Sequence, residues 1–344
     1  MKKDEKIYVA GHRGLVGSSL MSILQQQGYT NILTRTHAEL DLTNQAATEA
    51  FFEHNRPKYV FLAAAKVGGI IANNTYKAEF IYENLTISAN IIQAAHKFDV
   101  TKLLNLGSSC IYPRQAPQPL KEEYLLSGPL EPTNEPYAIA KIAAIKLCRY
   151  YNEQYGSNFM SVMPTNMYGP FDNFDLETSH VMPAMLRKFH LAKLATGNDN
   201  TLIQNDIKTF GPLPSDIAAA LDMDVPAVTL WGSGSVYREF MYVADLAQAC
   251  VFLMQNFSAG DIGEFINIGT GKDITIKELA QTIKQIVGYD GEIHWDSEKP
   301  DGTPRKLLDI RQAKELGWEP RYDLTSGLKL YYQWYCKHSN CPME

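Results

Sequence analysis

The sequence contains three side chains whose types and spacing suit the reduction of a carbonyl group: Ser108, Tyr137 and Lys141. Because Tyr137 and Lys141 are four residues apart, a helix would place them one turn apart on the same face. The lysine ammonium would then lower the pKa of the phenol from its ordinary value near ~10. With a serine hydroxyl aimed at the same point, the pair predicts a site that polarises and protonates a ketone. A thiol two residues after the serine, Cys110, indicates that the enzyme does more than transfer a hydride.

A glycine-rich turn near the start of the chain predicts the binding site of a hydride-carrying cofactor. Gly11, Gly14 and Gly17 lie between a short apolar strand, 7–10, and an amphipathic helix that begins at Leu15. Glycines at these spacings permit a tight turn, close approach of the backbone to a pyrophosphate and close packing of helix on strand. The anion would lie at the N-terminus of the helix.

The end of the second predicted strand indicates which dinucleotide binds. A site for NAD usually has an acidic residue there, which binds the ribose 2′-hydroxyl. This strand ends in Thr34 and Arg35, and the first acid is Glu39. Arg13 and Arg35 could instead bind a 2′-phosphate through paired hydrogen bonds. The sequence therefore predicts NADPH rather than NADH, unless both arginines are solvated surface charges.

Apolar strands alternate with helices through the first half of the chain. Continuous apolar runs predict the strands, and apolar residues at helical spacing predict the helices between them. The predicted strands are 7–10, 32–34, 59–65, 102–106 and 159–163, and the predicted helices are 15–27, 80–97 and 137–155. Strands without polar alternation are covered on both faces, so we predict an α/β fold with a doubly wound, parallel Rossmann-type sheet.

The second half of the chain is expected to form a smaller α/β lobe that covers the sheet and contacts the substrate. The predicted helices are 181–194, 244–255 and 276–287, and the predicted strands are 228–231 and 265–268. The polar stretch 195–226 is predicted to be a surface loop or small insertion. We therefore assign residues 1–170, with parts of 230–270, to a cofactor-binding domain and 171–344 predominantly to a substrate-binding lobe.

Composition narrows the class of protein. The 344 residues carry a formal net charge of −6, which argues against a general nucleic-acid surface. No apolar run reaches the ~18 residues of a membrane helix, and the charged start has no apolar signal segment. Five scattered cysteines are typical of reduced thiols, so a cytoplasmic location is predicted, with neither membrane nor nucleic acid as partner. Cys336 and Cys341 lack further ligands, so no metal site is predicted.

Longer segments that include these motifs resemble one family. The segments are 63–69, 73–76, 106–113, 131–141, 163–170, 231–234, 238–240 and 299–306. Over nearly its full length the chain resembles the extended short-chain dehydrogenase/reductase family, and within it the enzymes that epimerise and reduce GDP-linked 4-keto-6-deoxyhexoses. Two features depart from the pattern of the family: the stretch 195–226 is longer than usual, and His37 stands where an arginine is expected.

The resemblance implies conversion of GDP-4-keto-6-deoxy-D-mannose to GDP-L-fucose, by epimerisation at C3 and C5 and NADPH-dependent reduction at C4. A ketone at C4 acidifies the C–H bonds of both neighbouring carbons. Cys110 would be the base and His180 the acid, while Ser108 and Tyr137 hold the enediolate. Tyr137 would then protonate O4, and Lys141 would bind the nicotinamide ribose. The ordinary alternatives are a buried apolar cysteine, a surface histidine and an unremarkable helix pair.

The resemblance also implies contacts beyond the reacting groups. The expected cofactor contacts are Gly11, His12, Arg13, Gly14, Leu15, Val16, Gly17, Arg35, Asp41, Leu42, Leu106, Gly107, Ser108, Ser109, Lys141, Pro164, Thr165, Asn166, Met167 and His180. The expected GDP-sugar contacts are Lys188, Trp231, Arg238 and Asp301, with Arg305 and Lys306 as weaker candidates. A homodimer packed through helices of the cofactor-binding domain, including the tyrosine helix, is also expected.

Two other interpretations use the same fold. A sugar-nucleotide 4-epimerase or 4,6-dehydratase would keep a tightly bound NAD. A dehydratase would also have an Asp-Glu pair where this chain has Ser109 and Cys110. A regulator that senses NADP without catalysis would typically have lost the tyrosine, which is present here as Tyr137.

Overall fold

A computed structural model describes residues 1–223, 226–299 and 301–339, except for the side chains of residues 70 and 71. Short strands and longer helices alternate along these ranges. The strands are β1 Ile7–Ala10, β2 Ile32–Leu33, β3 Tyr59–Leu62, β4 Lys102–Leu106, β5 Phe159–Pro164, β6 Asn166–Tyr168, β7 Val228–Trp231, β8 Tyr237–Tyr242, β9 Ile266–Ile268, β10 Asp273–Thr275, β11 Ile293–Asp296 and β12 Arg305–Lys306. The helices are α1 Leu15–Gln26, α2 Gln45–Asn55, α3 Ile70–Thr75, α4 Lys77–Lys97, α5 Glu135–Tyr155, α6 Val181–Thr196, α7 Asn200–Phe210, α8 Ser215–Leu221, α9 Val243–Asn256, α10 Ala259–Ile262, α11 Ile276–Val287, α12 Arg311–Glu315 and α13 Leu324–His338. Within these described ranges, no helix combines the length and apolarity needed to cross a bilayer.

The first sheet has six parallel strands in the order β2-β1-β3-β4-β5-β9. Every residue of β1, β3 and β5 is buried, because helices cover both faces of the sheet. Helices α1 and α9 pack on one face, and α2, α4 and α5 pack on the other. The doubly wound parallel sheet predicted from the sequence is confirmed. In such sheets ligands bind beyond the carboxyl ends of the strands, which here are Ala10, Leu62 and Leu106.

Several helix ends fall where local sequence signals predict them. Helix α5 ends before Gly156, whose left-handed φ of 67° a glycine adopts without strain. Helix α11 begins at a capping box in which Thr275 and Glu278 each accept a hydrogen bond from the other's backbone N–H. The bounds of α11 match the predicted helix 276–287, whereas β3 ends at Leu62 instead of residue 65. The sequence analysis did not predict several elements, namely helices α2, α3, α10, α12 and α13 and strands β6, β8 and β10–β12.

The second lobe is built around β8. Strand β10 pairs antiparallel with β8, strand β12 pairs parallel with it, and β6 pairs with its last three residues. Strands β7 and β11 form a separate parallel pair. Helices α6, α11 and α13 enclose a core that includes Tyr168, Phe189, Leu279 and Tyr331. The C-terminal part is therefore a smaller α/β unit, as predicted.

Two crossings of the chain join the lobes. Strand β5 leads into β6 through the single residue Thr165, so the chain passes from the first sheet to the second at that point. Helix α9 later returns to pack on α1, and β9 extends the first sheet beside β5. The segment that carries the predicted residues Pro164, Thr165, Asn166 and Met167 therefore lies where the two sheets meet.

The stretch 195–226 was predicted to be a surface loop or a small insertion; its described residues contain the helices α7 and α8, so of these two alternatives the loop is wrong. A buried ion pair fixes α7 to the lobe: Arg187 Nε donates to Asp206 Oδ1 at 2.8 Å, and neither side chain is exposed. The hydroxyl of Tyr335 donates to the same carboxylate. The polar composition of this stretch did not indicate a packed helix, because the buried residue of α7 is an aspartate whose partner lies nineteen residues away.

Candidate active site

The candidate catalytic turn follows β4, at the carboxyl edge of the first sheet. Gly107 donates its N–H to the Val162 carbonyl at 2.9 Å, which ties the turn to β5. Ser108 caps a short 3₁₀ turn over Ser109–Ile111, and its Oγ accepts the Cys110 N–H at 3.4 Å. The serine hydroxyl and the thiol therefore belong to one turn, with Cys110 only 6% exposed.

Tyr137 and Lys141 lie in the first two turns of α5, which packs against the catalytic turn. Lys141 is buried, and its Nζ donates to the Leu106 carbonyl at 2.8 Å. The same Nζ lies 5.6 Å from the centroid of the Tyr137 ring. The ring of Phe80 meets the Tyr137 ring edge-on, with the centroids 6.5 Å apart. The structure thus brings the serine, the tyrosine and the lysine together around the end of β4.

Burial dominates the ionisation of these groups. It raises the pKa of the Cys110 thiol, against the opposing effects of the Lys306 charge, the Ser108 hydrogen bond and the Lys141 charge. Burial also raises the pKa of the Tyr137 phenol, and negative charge on Cys110 raises it further. Burial lowers the pKa of Lys141 to about 8. The expected lowering of the phenol pKa is not found in the protein alone, because the lysine is itself desolvated and directs its ammonium to a backbone carbonyl.

His180 precedes α6 at its N-cap position, with φ −76° and ψ 168°. The loop before it docks on the segment after β3, where the Gly69 N–H donates to the Thr178 carbonyl at 3.0 Å. The residue is exposed to solvent, yet desolvation by the surrounding protein lowers the pKa of the imidazole, and the Lys306 charge lowers it further. This imidazole therefore releases a proton more readily than a free histidine does.

The glycine turn forms a cradle for a pyrophosphate. A Cβ on Gly11, whose φ is 82°, would lie 2.7 Å from the Ala64 nitrogen, and one on Gly17 would lie 2.1 Å from the Gly11 carbonyl oxygen. Gly14 caps α1, whose N-terminus has neither a capping side chain nor an acid in its first turn. Because free N–H groups and the helix dipole attract anions, the residues present fit the pyrophosphate of an NAD(P) cofactor.

Arginines rather than a free acid lie at the end of β2. The Glu39 carboxylate accepts the Thr36 N–H at 2.7 Å and the Thr36 hydroxyl at 2.8 Å, so this acid is engaged within its own turn and not directed to a ribose. The pKa of Glu39 is lowered by these hydrogen bonds first, and then by the charges of Arg35 and Arg13. Both arginines therefore lie near the same edge of the cradle. Their guanidinium groups suit a ribose 2′-phosphate.

The other predicted cofactor contacts follow the carboxyl ends of β2, β4 and β5. Asp41 closes a local turn through Oδ1, and the Leu42 carbonyl accepts a hydrogen bond from α4. Thr165 Oγ1 and Asn166 Nδ2 both donate to the Glu239 carbonyl, at 3.1 and 2.8 Å, which fixes the crossing between the sheets. On the same edges or at the glycine turn lie His12, Leu15, Val16, Ser109, Pro164 and Met167.

Two predicted substrate residues flank the turn from β7 to β8. The Asp301 carboxylate accepts the Ser233 N–H at 2.7 Å and the Ser233 hydroxyl at 2.8 Å. Arg238 Nη2 donates to the Asp301 carbonyl at 3.4 Å, and burial lowers the pKa of Arg238 to about 10. A half-buried guanidinium held in this way suits a diphosphate.

The other two predicted substrate residues lie on the same wall. Trp231 ends β7 with 46% of its surface exposed, and Lys299 Nζ lies 5.4 Å from the centroid of its indole ring. Lys188 Nζ donates to the Thr229 carbonyl of β7 at 3.0 Å, and burial lowers its pKa. The wall therefore combines an exposed aromatic face with cations, as binding a nucleoside diphosphate requires.

Residues 7–269 match the NAD dependent epimerase/dehydratase family. The chain belongs to this family. It is 52% identical to GDP-L-fucose synthase 1 of Arabidopsis thaliana, over 98% of this chain and 94% of that protein. It is 48% identical to GDP-L-fucose synthase of Escherichia coli strain K12, over 98% of each chain. Among solved structures, it is similar to a GDP-mannoheptose C4 reductase from Campylobacter jejuni with NADP bound, at 40% identity and a TM-score of 0.85, covering 97% of this chain and 99% of that one. These findings confirm the resemblance drawn from the motifs.

The sequence analysis did not predict the surroundings of two residues of this epimerase/dehydratase family member. Arg305 and Lys306 were both named as weaker GDP-sugar contacts, and both line a cavity with Cys110, but Arg305 is ion-paired with Asp273 at 2.5 Å. Glu131, also in that cavity, holds Arg114 at 3.2 Å. Lys306 and Glu131 both lie in segments that carry the family resemblance, 299–306 and 131–141, and this was the indication of them that the sequence offered. Cys341 lies outside the described residues.

Proposed function

We propose that the chain converts GDP-4-keto-6-deoxy-D-mannose to GDP-L-fucose, inverting C3 and C5 and reducing C4. One observation carries the proposal: the thiol of Cys110 and the hydroxyl of Ser108 share a single turn beside Tyr137 and Lys141. A base for epimerisation and the groups for carbonyl reduction thus lie within reach of one sugar ring. The names of the two relatives that are 52% and 48% identical support this substrate.

The epimerisations require a base on one face of the sugar and an acid on the other. Cys110 takes the proton from C3 or C5 as a thiolate, and the electrons of the broken C–H bond move to the C4 oxygen. Ser108 and Tyr137 donate hydrogen bonds to that oxygen and so stabilise the enediolate. His180, whose lowered pKa favours proton release, returns a proton to the opposite face. The sugar turns in the pocket between the two inversions.

The reduction uses the same oxygen-binding groups. Because burial raises the pKa of the Tyr137 phenol, the tyrosine stays protonated at neutral pH and can give its proton to O4. Lys141 holds the end of β4 through Leu106 and presents its ammonium to the ribose of the nicotinamide. The cofactor that we propose, NADPH, supplies the hydride to C4 when bound. It is held by the glycine turn, with Arg13 and Arg35 at the 2′-phosphate.

Turnover with the purified chain tests the proposal. With GDP-4-keto-6-deoxy-D-mannose, one NADPH should be consumed per sugar, and NMR of the product should give GDP-L-fucose. Conversion without net NADPH consumption would instead support a redox-neutral epimerase or dehydratase. Binding of NADPH without turnover would support a regulator. Either outcome would remove the proposed activity.

A second candidate substrate is a GDP-linked 4-keto-heptose. The C6 substituent is bonded to the carbon from which Cys110 takes a proton, so it must lie near the thiol. Beside Cys110 is a cavity with an empty volume of about 250 Å³, which includes space open to solvent. Its lining mixes apolar residues such as Tyr112, Pro113 and Leu120 with the polar side chains of Arg114, Gln118, Glu131 and Thr303. These polar side chains can form hydrogen bonds with the hydroxyl groups of a heptose, which a C6 methyl group lacks. The Campylobacter jejuni structure is named for a GDP-mannoheptose enzyme, so comparing kcat/KM for the two ketosugars separates the candidates.

We further propose a homodimer packed through α4 and α5. Exposed apolar or aromatic side chains on these two adjacent helices support it: Tyr82, Ile139, Tyr150 and Tyr155 are 66%, 40%, 53% and 53% exposed. Ile139→Glu should give a monomer by light scattering coupled to size exclusion, and an unchanged mass would refute this interface. A domain division near residue 170 and a cytoplasmic location, supported by the free thiols of Cys148 and Cys250, complete the proposal.

A further inference from the structure

Lys306 is a half-buried lysine whose ammonium makes no hydrogen bond or ion pair within residues 1–223, 226–299 and 301–339. Its neighbour in β12, Arg305, points the other way and binds the Asp273 carboxylate through two hydrogen bonds, at 2.5 and 3.1 Å. Successive residues of a strand face opposite sides. Lys306 therefore points away from the ion pair of Arg305, although both residues line the cavity that contains Cys110.

The position of Lys306 in the sheet directs it toward the candidate site. In the parallel pair of β8 and β12, Lys306 is opposite Arg238, and residues in register share a face of the sheet. Arg238 belongs to the wall that suits a diphosphate. Lys306 also lines the cavity that contains Cys110. The Glu131 carboxylate in that cavity is already engaged by Arg114 at 3.2 Å and by the Thr133 hydroxyl at 3.2 Å. Lys306 therefore places a positive charge between Arg238, on the wall that suits a diphosphate, and the thiol of Cys110.

The charge of Lys306 acts on both groups assigned to proton transfer. Burial raises the pKa of the Cys110 thiol, and the Lys306 charge is the largest effect that opposes this rise. After burial, the Lys306 charge is what lowers the pKa of His180. Burial lowers the pKa of Lys306 itself, negative charge on Cys110 raises it, the Arg238 charge lowers it, and the Glu131 charge raises it. A thiolate in this cavity and the lysine ammonium therefore stabilise each other.

We propose that Lys306 is a positioning residue for the proton transfers at C3 and C5, where its ammonium stabilises the thiolate of Cys110 and the negative charge on the sugar. The inference rests on the proposed epimerase/reductase function. In each transfer a C–H bond breaks, an S–H bond forms on Cys110, and the electron pair moves to the C4 oxygen. The electron pair then returns from the oxygen to carbon, and a proton from His180 re-forms the C–H bond on the other face. Before the second inversion Cys110 releases its proton to solvent and His180 takes one up from solvent, so each inversion begins from a thiolate and an imidazolium. Lys306 stays protonated throughout and leaves the proton balance unchanged.

The test measures the ionisation of Cys110 directly, in the full chain without substrate. Iodoacetamide alkylation of the peptide containing Cys110 is followed by mass spectrometry as a function of pH, because only the thiolate reacts. In Lys306→Met and Lys306→Gln the midpoint should rise by about one pH unit or more, as expected when a nearby cation is lost. Lys306→Arg keeps the charge and should restore most of the wild-type midpoint. The control Lys97→Met removes a surface lysine that pairs with Glu49 and should leave the midpoint unchanged.

Deuterium exchange from solvent into the ketosugar gives a second readout. Its pH profile should shift in the same direction as the alkylation midpoint in both charge-free variants. An unchanged midpoint in both variants would overturn the proposal. So would a raised KM with an unmoved midpoint, because Lys306 would then only bind substrate. If the proposed function itself fails, the ketosugar will not turn over in the wild-type chain, while the alkylation midpoint still decides whether Lys306 controls the thiol.

Discussion

The buried ion pair between α6 and α7 gives a stability prediction of defined size. Arg187 and Asp206 are both fully buried, and Arg187 also donates to the carbonyls of Phe174, Phe210 and Gly211, at 3.1, 3.0 and 2.5 Å. Asp206→Asn keeps the shape of the side chain but leaves the guanidinium charge buried without a counterion. Breaking a buried pair in this way costs about 3–5 kcal/mol. We expect the free energy of unfolding to fall by that amount.

Urea unfolding followed by circular dichroism and tryptophan fluorescence measures this loss. Hydrogen exchange should also speed up across residues 200–210, because α7 depends on the pair for docking. The matched control is Glu49→Gln, which removes the negative charge from the surface ion pair with Lys97 and should not move the midpoint measurably. Replacing both buried partners by apolar residues should recover much of the loss. A wild-type midpoint for Asp206→Asn, with unchanged exchange in α7, would refute the reasoning.

Three further predictions concern the site. Tyr137→Phe should lower kcat for NADPH oxidation about 10²–10⁴-fold, the usual contribution of a proton donor, while the dissociation constant of the ketosugar changes little. His180→Gln should still allow deuterium exchange at C3 and C5, since Cys110 can return a deuteron to the same face, but NMR should detect no inversion. Arg13→Ala combined with Arg35→Ala should raise KM for NADPH about tenfold or more and leave KM for NADH unchanged, because only NADPH has a 2′-phosphate.

Each of these predictions has a result that contradicts it. Wild-type hydride transfer in Tyr137→Phe would remove the tyrosine as proton donor. Normal inversion in His180→Gln would require a different acid. Equal increases of KM for NADPH and NADH in the double arginine variant would mean that the arginines act on a part common to both cofactors, or only on folding.

Local signals predicted the first sheet because its strands and helices are determined by short segments. The uninterrupted apolar runs of β1 and β3 and the glycine after α5 each carry their own structural information. The second lobe is different. Strand β8 depends on β6, β10 and β12, which come from three distant parts of the chain. Short strands of that kind have too few residues for a periodic pattern.

The residues of the candidate site also differ in how far their positions depend on local sequence. Ser108 and Cys110 share one turn, and Tyr137 and Lys141 share one helix, so spacing alone could predict them. Lys306 lines the cavity beside the thiol because β12 pairs with β8. No local pattern distinguishes it from Arg305, the residue next to it. The burial of Asp206 could not be predicted locally either, because it lies in a polar stretch of the sequence and is buried against Arg187, which is on another helix.

The central claim is that one pocket removes protons from C3 and C5 and then delivers reducing equivalents to C4. Reaction of GDP-4-keto-6-deoxy-D-mannose with unlabelled NADPH in D₂O, followed by NMR of product and remaining substrate, tests it most directly. The wild-type product should carry deuterium at C3 and C5 and hydrogen at C4. With Cys110→Ser, neither product nor substrate should acquire deuterium at C3 or C5 beyond the enzyme-free control. Deuterium at both carbons in that variant, or a wild-type product without it, would contradict the account.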